Sequence, residues 1–276
     1  MSIILGIDVG GSTTKIVGVA DKNCIGMLQV KAADQVTSMY GAIGRFLREQ
    51  NKSPNDVTDI YLTGIGATFI DEQIYGINTH KVSEFDAIGH GAVFQTNLKE
   101  ALVVSMGTGT AFVKVTKDGV SHLGGTGVGG GSVVGLSSQM LGKRDIDAIL
   151  ALAEYGTTET IDLTISDIIC KSTDIGTLPT NLTASNFGKM KSTASDSDIA
   201  LGIINLVLET IGMLSIFALK NETIKDVVLT GTLTTFPQVK PIFSKFSTIT
   251  DLNFTVPDNA VFTTALGAVK LGTKIL

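Results

Sequence analysis

The residues best equipped for chemistry lie in four glycine-bearing turns and one acidic pair. The first turn is Asp8-Val9-Gly10-Gly11-Ser12-Thr13-Thr14-Lys15. Its glycines let backbone N–H groups come close to phosphate oxygens, and its hydroxyls add donors. Asp8 ends an apolar run and is placed to hold a water-bound Mg2+, a cation that usually takes one or two protein carboxylates. Lys15 can reach a terminal phosphate as a point charge. A second turn, Gly107-Thr108-Gly109-Thr110, holds the matching position after another apolar run. Two such turns facing each other would clamp the phosphate tail of a nucleotide.

Residues 124–131 read GGTGVGGG and lead into a helical pattern. The amides near Gly130, Gly131 and Ser132 therefore offer an anion site at a helix N-terminus. Gly231-Thr232 follows the apolar run DVVLT; it is either a further nucleotide contact or the plain glycine turn common to α/β proteins. Glu84-Phe85-Asp86 contains the acidic pair. Asp86 suits the N-cap of the helix that follows, which leaves Glu84 without a structural role at a strand end. A carboxylate there can take the proton of a substrate hydroxyl as it attacks a γ-phosphate. On spacing alone, a solvated turn residue fits equally well.

Other chemistries find no residues. The three histidines, His80, His90 and His122, form no ligand set. No serine sits in a G-x-S-x-G elbow. Cys24 and Cys170 lie far apart and make neither a zinc spacing nor a disulfide framework.

The elements that must carry these groups follow from the apolar patterning. Residues 2–9 and 14–20 read as strands, so the first turn joins strand to strand, unlike a Walker or Rossmann loop. A third strand is expected over 27–33 and a helix over 37–50, with apolar residues at Met39, Ile43, Phe46 and Leu47. Strands follow at 59–63 and 80–83, then a helix from Asp86 to about Asn97. Strand, glycine turn and strand recur over 101–116, an internal duplication. Helices are expected at 132–142, 145–154, 198–219, 237–246 and 259–276, and strands at 226–230 and 253–256. Residues 172–197 look least regular.

The chain has 276 residues, 43% of them hydrophobic and 17% charged, with a mean hydropathy of +0.34. That is ample apolar material for a core. A net charge of −5 with scattered Lys and Arg argues against a nucleic-acid partner. The N-terminus lacks the basic region and cleavage site of a signal peptide. No apolar stretch is expected to approach the ~20 residues that cross a bilayer. A cytoplasmic protein without a membrane partner is the expectation.

DVGGSTTK, EFDA (84–87), SMGTGT, LGGTGVGGGSVVGLS and SNFGKM (185–190) occur in the order seen in the type II, eukaryotic-like pantothenate kinases, which the chain resembles over nearly its whole length. The resemblance implies a duplicated actin-like (ribonuclease H-like) α/β ATPase fold, with subdomains of residues 1–98 and 99–276 around a nucleotide cleft. It implies a homodimer that uses ATP and Mg2+ to phosphorylate pantothenate, and acyl-CoA as a feedback ligand. The family's general base falls on Glu84. Its nucleotide-binding positions fall on Asp8, Gly10, Gly11, Ser12, Thr13, Lys15, Gly107, Thr108, Gly109, Gly130, Gly131, Ser132 and Thr232, with Asp8 toward the metal. Its acceptor contacts fall on His122, Gly124 and Gly125. Family members usually carry arginine where this chain has His122. A permanent bidentate clamp is thus replaced by one charge-dependent donor. Two other readings keep the fold: a kinase for another small hydroxyl substrate, or a non-catalytic sensor of nucleotide or acyl-CoA. The activators of 2-hydroxyacyl-CoA dehydratases share a similar first loop, but they need paired cysteines that this chain lacks.

Overall fold

The computed structural model describes residues 2–169 and 179–273. Two five-stranded sheets form its frame. The first contains β1 (Ile3–Val9), β2 (Thr13–Ala20), β3 (Asn23–Lys31), β4 (Val57–Thr63) and β5 (Asn78–Lys81), in the order β3-β2-β1-β4-β5. The second contains β6 (Ala101–Met106), β7 (Thr110–Thr116), β8 (Gly119–Thr126), β11 (Asp226–Thr230) and β12 (Asn253–Thr255), in the order β12-β11-β6-β7-β8. Each sheet has the same plan: an antiparallel meander of three strands, with two parallel strands added beside the first. The duplication expected from the two hairpins thus extends over all ten strands.

β1 and β6 are the apolar centres of their sheets. Every residue of β1 is buried, as a strand covered on both faces requires. One face of the first sheet packs on α1 (Gln35–Glu49) through Met39, Ile43 and Phe46. One face of the second packs on α6 (Asp196–Leu219) and α7 (Val239–Ile249). The other two faces are covered by exchanged helices. α2 (Glu84–Thr96) follows the first sheet but packs Ile88 and Ala92 on Ala101, Val103 and Val113 of the second. α8 (Thr263–Gly272) ends the second half but packs Ala265, Leu266 and Val269 on Ile4, Val17 and Val19 of the first. The two helices cross at Gly91 and Gly267, where a Cβ would collide with the opposite backbone.

Between β8 and β11 lie α3 (Gly130–Leu141), α4 (Ile146–Ala153), β9 (Leu163–Thr164), α5 (Ile165–Ile168), β10 (Thr183–Ser185) and α6. At a mean hydropathy of 2.0, α6 is apolar and long enough to cross a membrane by length and composition, contrary to expectation. Just over half of that stretch, 56%, is buried inside the protein, so α6 here serves as a core helix.

Other boundaries move. The third strand starts at Asn23, and α1 starts two residues early because Asp34 caps it, accepting from the Thr37 amide at 2.7 Å. β8 was not foreseen. It is a half-exposed strand without clean alternation, and a bulge at Leu123 interrupts its pairing with β7. The last helix is divided into a 3-10 turn, Ala260–Phe262, and α8. Residues 172–178, Cys170 and the final three residues, 274–276, lie outside the described residues.

Candidate active site

Asp8 is the next-to-last residue of β1 and pairs in register with Lys15 of β2 on one side and Thr63 of β4 on the other. Cross-strand partners share a face, so the three side chains form one row at the mouth of the sheet. Lys15 Nζ donates to Asp8 Oδ2 at 3.0 Å, and both side chains are nearly buried, 9% and 8% exposed. Lys15 is thus held by Asp8 rather than standing free at the turn.

The two hairpin turns meet. Ser12 Oγ and Thr108 Oγ1 lie 2.9 Å apart, although 96 residues separate them in sequence. A Cβ on Gly11 would come no nearer than 4.0 Å to Thr108 Oγ1, so the glycine leaves space between the turns. Among the described residues, the amides of Gly11, Ser12 and Thr108 donate to no protein acceptor. Free amides on two facing turns are what an anionic phosphate chain requires.

The start of α3 differs from expectation. The Gly130 amide donates to the Gly107 carbonyl and the Gly131 amide to the Thr108 carbonyl, both at 2.9 Å, and the Ser132 amide donates to Gly129 at 3.0 Å. The first two amides therefore brace the second turn and the third closes the start of its own helix, so none of the three remains free for an anion. The positive end of the α3 dipole still points at the second turn. Gly129, Gly130 and Gly131 are glycines because a Cβ would press on the backbone of residues 107–109. Gly231 has φ +88° and seats against Met106, where a side chain would strike the Met106 backbone. It places Leu233 beside Gly130. A cavity of about 390 Å3 opens between α3 and α6, lined by Ser132, Leu136, Leu206 and Thr210 among others.

Glu84 is the first residue of α2, and the helix cap is Ser83, not Asp86. The Ser83 hydroxyl accepts from the Asp86 amide at 3.4 Å, which puts Asp86 in the first turn. Glu84 is half-buried, and its carboxyl is pushed above the usual glutamate range, first by burial and then by the Asp8 charge, with Lys15 pulling the other way. The base candidate therefore shares one electrostatic environment with Asp8 and Lys15. Next to it, Phe85 stacks flat on His122 of β8, with ring centroids 3.8 Å apart and planes 8° apart. The β-bulge at Leu123 aims His122 at this ring. Gly124, at φ +145°, has open space beside it, whereas Gly125 abuts the Thr110 carbonyl.

The segment 185–190 is a brace. Asn186 Nδ2 donates to Glu209 Oε2 at 2.9 Å, and the Phe187 amide donates to Asp162 Oδ1 at 2.9 Å, tying the segment to α6 and to the residue that precedes β9. Thr63 and Gly64 read in the sequence only as a strand end and its glycine turn, not as site residues. The signal was present: DIYLTG (59–64) repeats as DVVLTG (226–231). Gly64 and Gly231 are equivalent, at φ +91° and +88°, and each opens a 3-10 helix.

The duplicated sheets and their facing turns define an actin-like ATPase fold. Component A of (R)-2-hydroxyglutaryl-CoA dehydratase from Acidaminococcus fermentans superposes with a TM-score of 0.69 at 18% identity, covering 97% of this chain and 96% of its own. The activator of the 2-hydroxyisocaproyl-CoA dehydratase from Clostridium difficile, solved with bound ADPNP, superposes with a TM-score of 0.68 at 14% identity, covering 96% of this chain and 92% of its own. In sequence the chain is similar to a type II pantothenate kinase of Bacillus cereus (strain ATCC 14579), 28% identical over 257 residues and 90% of each chain. The protein is an ATP-dependent kinase on this fold. The family model described as Fumble matches residues 95–242, more than half of the chain, and the chain belongs to that family.

Proposed function

We propose that the protein phosphorylates the primary hydroxyl of pantothenate to give 4'-phosphopantothenate, the first step of coenzyme A biosynthesis. The observation that carries this reading is the meeting of the Ser12 and Thr108 turns beside Glu84. The relatives' name supplies the acceptor. The phosphate chain lies between Gly10–Thr13 and Gly107–Gly109, with Ser132 and Thr232 toward the nucleoside. Asp8 suits Mg2+: a nearly buried carboxylate at a strand end, with an unpartnered Thr63 hydroxyl in the same row. Mg2+ bound there would neutralise charge on the phosphate oxygens.

Glu84 takes the proton from the acceptor alcohol as its oxygen bonds to the γ-phosphorus. The bond from that phosphorus to the bridging oxygen breaks, ADP leaves with the electron pair, and the proton on Glu84 passes to solvent. A labelled-ATP screen of pantothenate, pantetheine and simple sugars tests the acceptor. Transfer to a sugar alone overturns pantothenate but keeps the kinase, whereas nucleotide binding without transfer to any acceptor favours a sensor.

His122, with Gly124 and Gly125, receives the acceptor's carboxylate. His122→Arg should keep the stack on Phe85, since guanidinium planes also lie on aromatic faces, and add a permanent charge. The KM for pantothenate is then expected to fall about tenfold with the KM for ATP unchanged. An unchanged pantothenate KM removes His122 from the acceptor site.

Subdomains of residues 1–98 and 99–276 would form the two walls of the cleft, with α8 returning to the first. The same reading makes the protein a cytoplasmic homodimer with acyl-CoA as feedback ligand and no nucleic-acid or membrane partner. Leu136 and Met140 of α3, with Met213 and Phe217 of α6, are exposed apolar residues suited to face a second copy. Phe217→Glu should halve the mass seen by light scattering, and a dimer that persists places the interface elsewhere.

A further inference from the structure

We propose that Thr63 is a positioning residue that takes over the Asp8 carboxylate when Lys15 turns to the nucleotide. The inference rests on the phosphate-binding role proposed above for Asp8 and Lys15, and deepens it. Asp8 is only 6% exposed, and Lys15 supplies the one hydrogen bond to its side chain among the described residues. A lysine cannot hold that carboxylate and neutralise a terminal phosphate with the same full strength. If Lys15 swings toward phosphate, a nearly buried anion is left short of a donor, which is costly in a low-dielectric site.

The sheet places one replacement in the right row. Thr63 lies beside Asp8 in the parallel register of β1 and β4, on the side opposite Lys15. It is 1% exposed, and its Oγ1 has no hydrogen-bond partner among the described residues. A buried hydroxyl without a partner keeps a donor ready for an acceptor within reach. Gly64, at φ +91°, brings the turn after Thr63 against Asp8 itself: a Cβ there would lie 2.6 Å from Asp8 Oδ1, the carboxylate oxygen that Lys15 does not hold. The Thr63 hydroxyl can donate to the carboxylate while its oxygen accepts from another donor. Lys15 exchanges Asp8 for phosphate, Thr63 turns to Asp8, and the carboxylate stays oriented toward the metal.

The second half of the fold supplies an internal control. Thr230 occupies the equivalent place on β11, 1% exposed and equally unpartnered at Oγ1, but its neighbour in register is Ser105. With no carboxylate beside it, Thr230 has no such anion to receive.

The test compares Thr63→Val, Thr63→Ser and Thr230→Val in the full chain. Calorimetry follows Mg2+-dependent binding of ADP, and thermal melting follows the free protein. Thr63→Val should weaken Mg2+-dependent binding about tenfold, while ADP binding in chelator stays within about twofold of wild type. Its free-protein melting temperature should be unchanged or higher, because an unpartnered hydroxyl has been removed. Thr63→Ser should restore the metal dependence, and Thr230→Val should leave it as in wild type. Wild-type Mg2+ dependence in Thr63→Val overturns the proposal, as does an equal loss in Thr230→Val or a fall in melting temperature that parallels the loss of binding. None of these readouts needs an acceptor, so failure to phosphorylate pantothenate sinks only the acceptor assignment.

Discussion

Glu84→Gln is expected to lower kcat for phosphoryl transfer about a thousandfold, the usual scale for loss of a general base. The substitution preserves shape and hydrogen-bonding capacity but cannot accept the acceptor's proton. ADP affinity, measured by calorimetry, should stay near wild type, because the proposed role of Glu84 is toward the acceptor and not the nucleotide. Turnover at the wild-type rate would remove the base assignment. The same variant carries a stability signature. The folded protein keeps the Glu84 proton to higher pH than the unfolded chain does, since the folded carboxyl sits above the ordinary glutamate range. Ionising it therefore opposes folding: the penalty is absent below the unfolded value, grows as pH rises through it, and is complete above the folded value. Glu84→Gln should accordingly melt higher than wild type at neutral pH and no differently in acid. The acid limb of wild-type kcat against pH should lie above the range of an ordinary glutamate.

The second large effect is expected at Asp8. Asp8→Ala leaves the Lys15 ammonium nearly buried without its partner, and breaking such a pair from one side destabilises by about 3 kcal/mol. Urea unfolding of Asp8→Ala should show that loss. The double variant Asp8→Ala/Lys15→Met should recover most of it, because an apolar side chain of similar length tolerates the buried site. Neither variant should turn over, since the carboxylate proposed to direct the metal is gone from both. If the double variant is no more stable than the single one, the pair does not act as a coupled unit. If either variant transfers phosphate at wild-type rates, Asp8 is not the residue that orients the metal.

Much of this site was legible because its signals are local. Each hairpin turn lies within one short stretch, where an apolar run, a glycine pair and a second apolar run leave few alternatives. Their mutual approach was an inference from duplication, and the contact between Ser12 and Thr108 bears it out. Ser83 was missed as the cap because Ser83 and Asp86 stand at the spacing of a capping box, in which either polar residue looks suited to end the strand. Its serine does the capping, which puts Glu84 on the helix rather than before it. β8 was missed because an edge strand with no buried position on either face, and a bulge at Leu123, lacks the alternation that marks a strand. Thr63 was missed because no single copy of the strand DIYLTG calls for chemistry. Only its match to DVVLTG, together with the register beside Asp8, makes the threonine conspicuous.

By itself the sequence determined the repeated strands, the two glycine turns and the residue types able to meet phosphate, metal and proton. These depend on apolar periodicity and backbone freedom over a few residues. Tertiary structure alone decided that α2 and α8 exchange sheets, that Gly130 and Gly131 spend their amides on the second turn, and that Lys15, Asp8 and Thr63 share one row. Each of those facts joins segments far apart in the chain. Which partner a buried donor or charge finds is settled by the whole packed core, and no short window of residues contains that information.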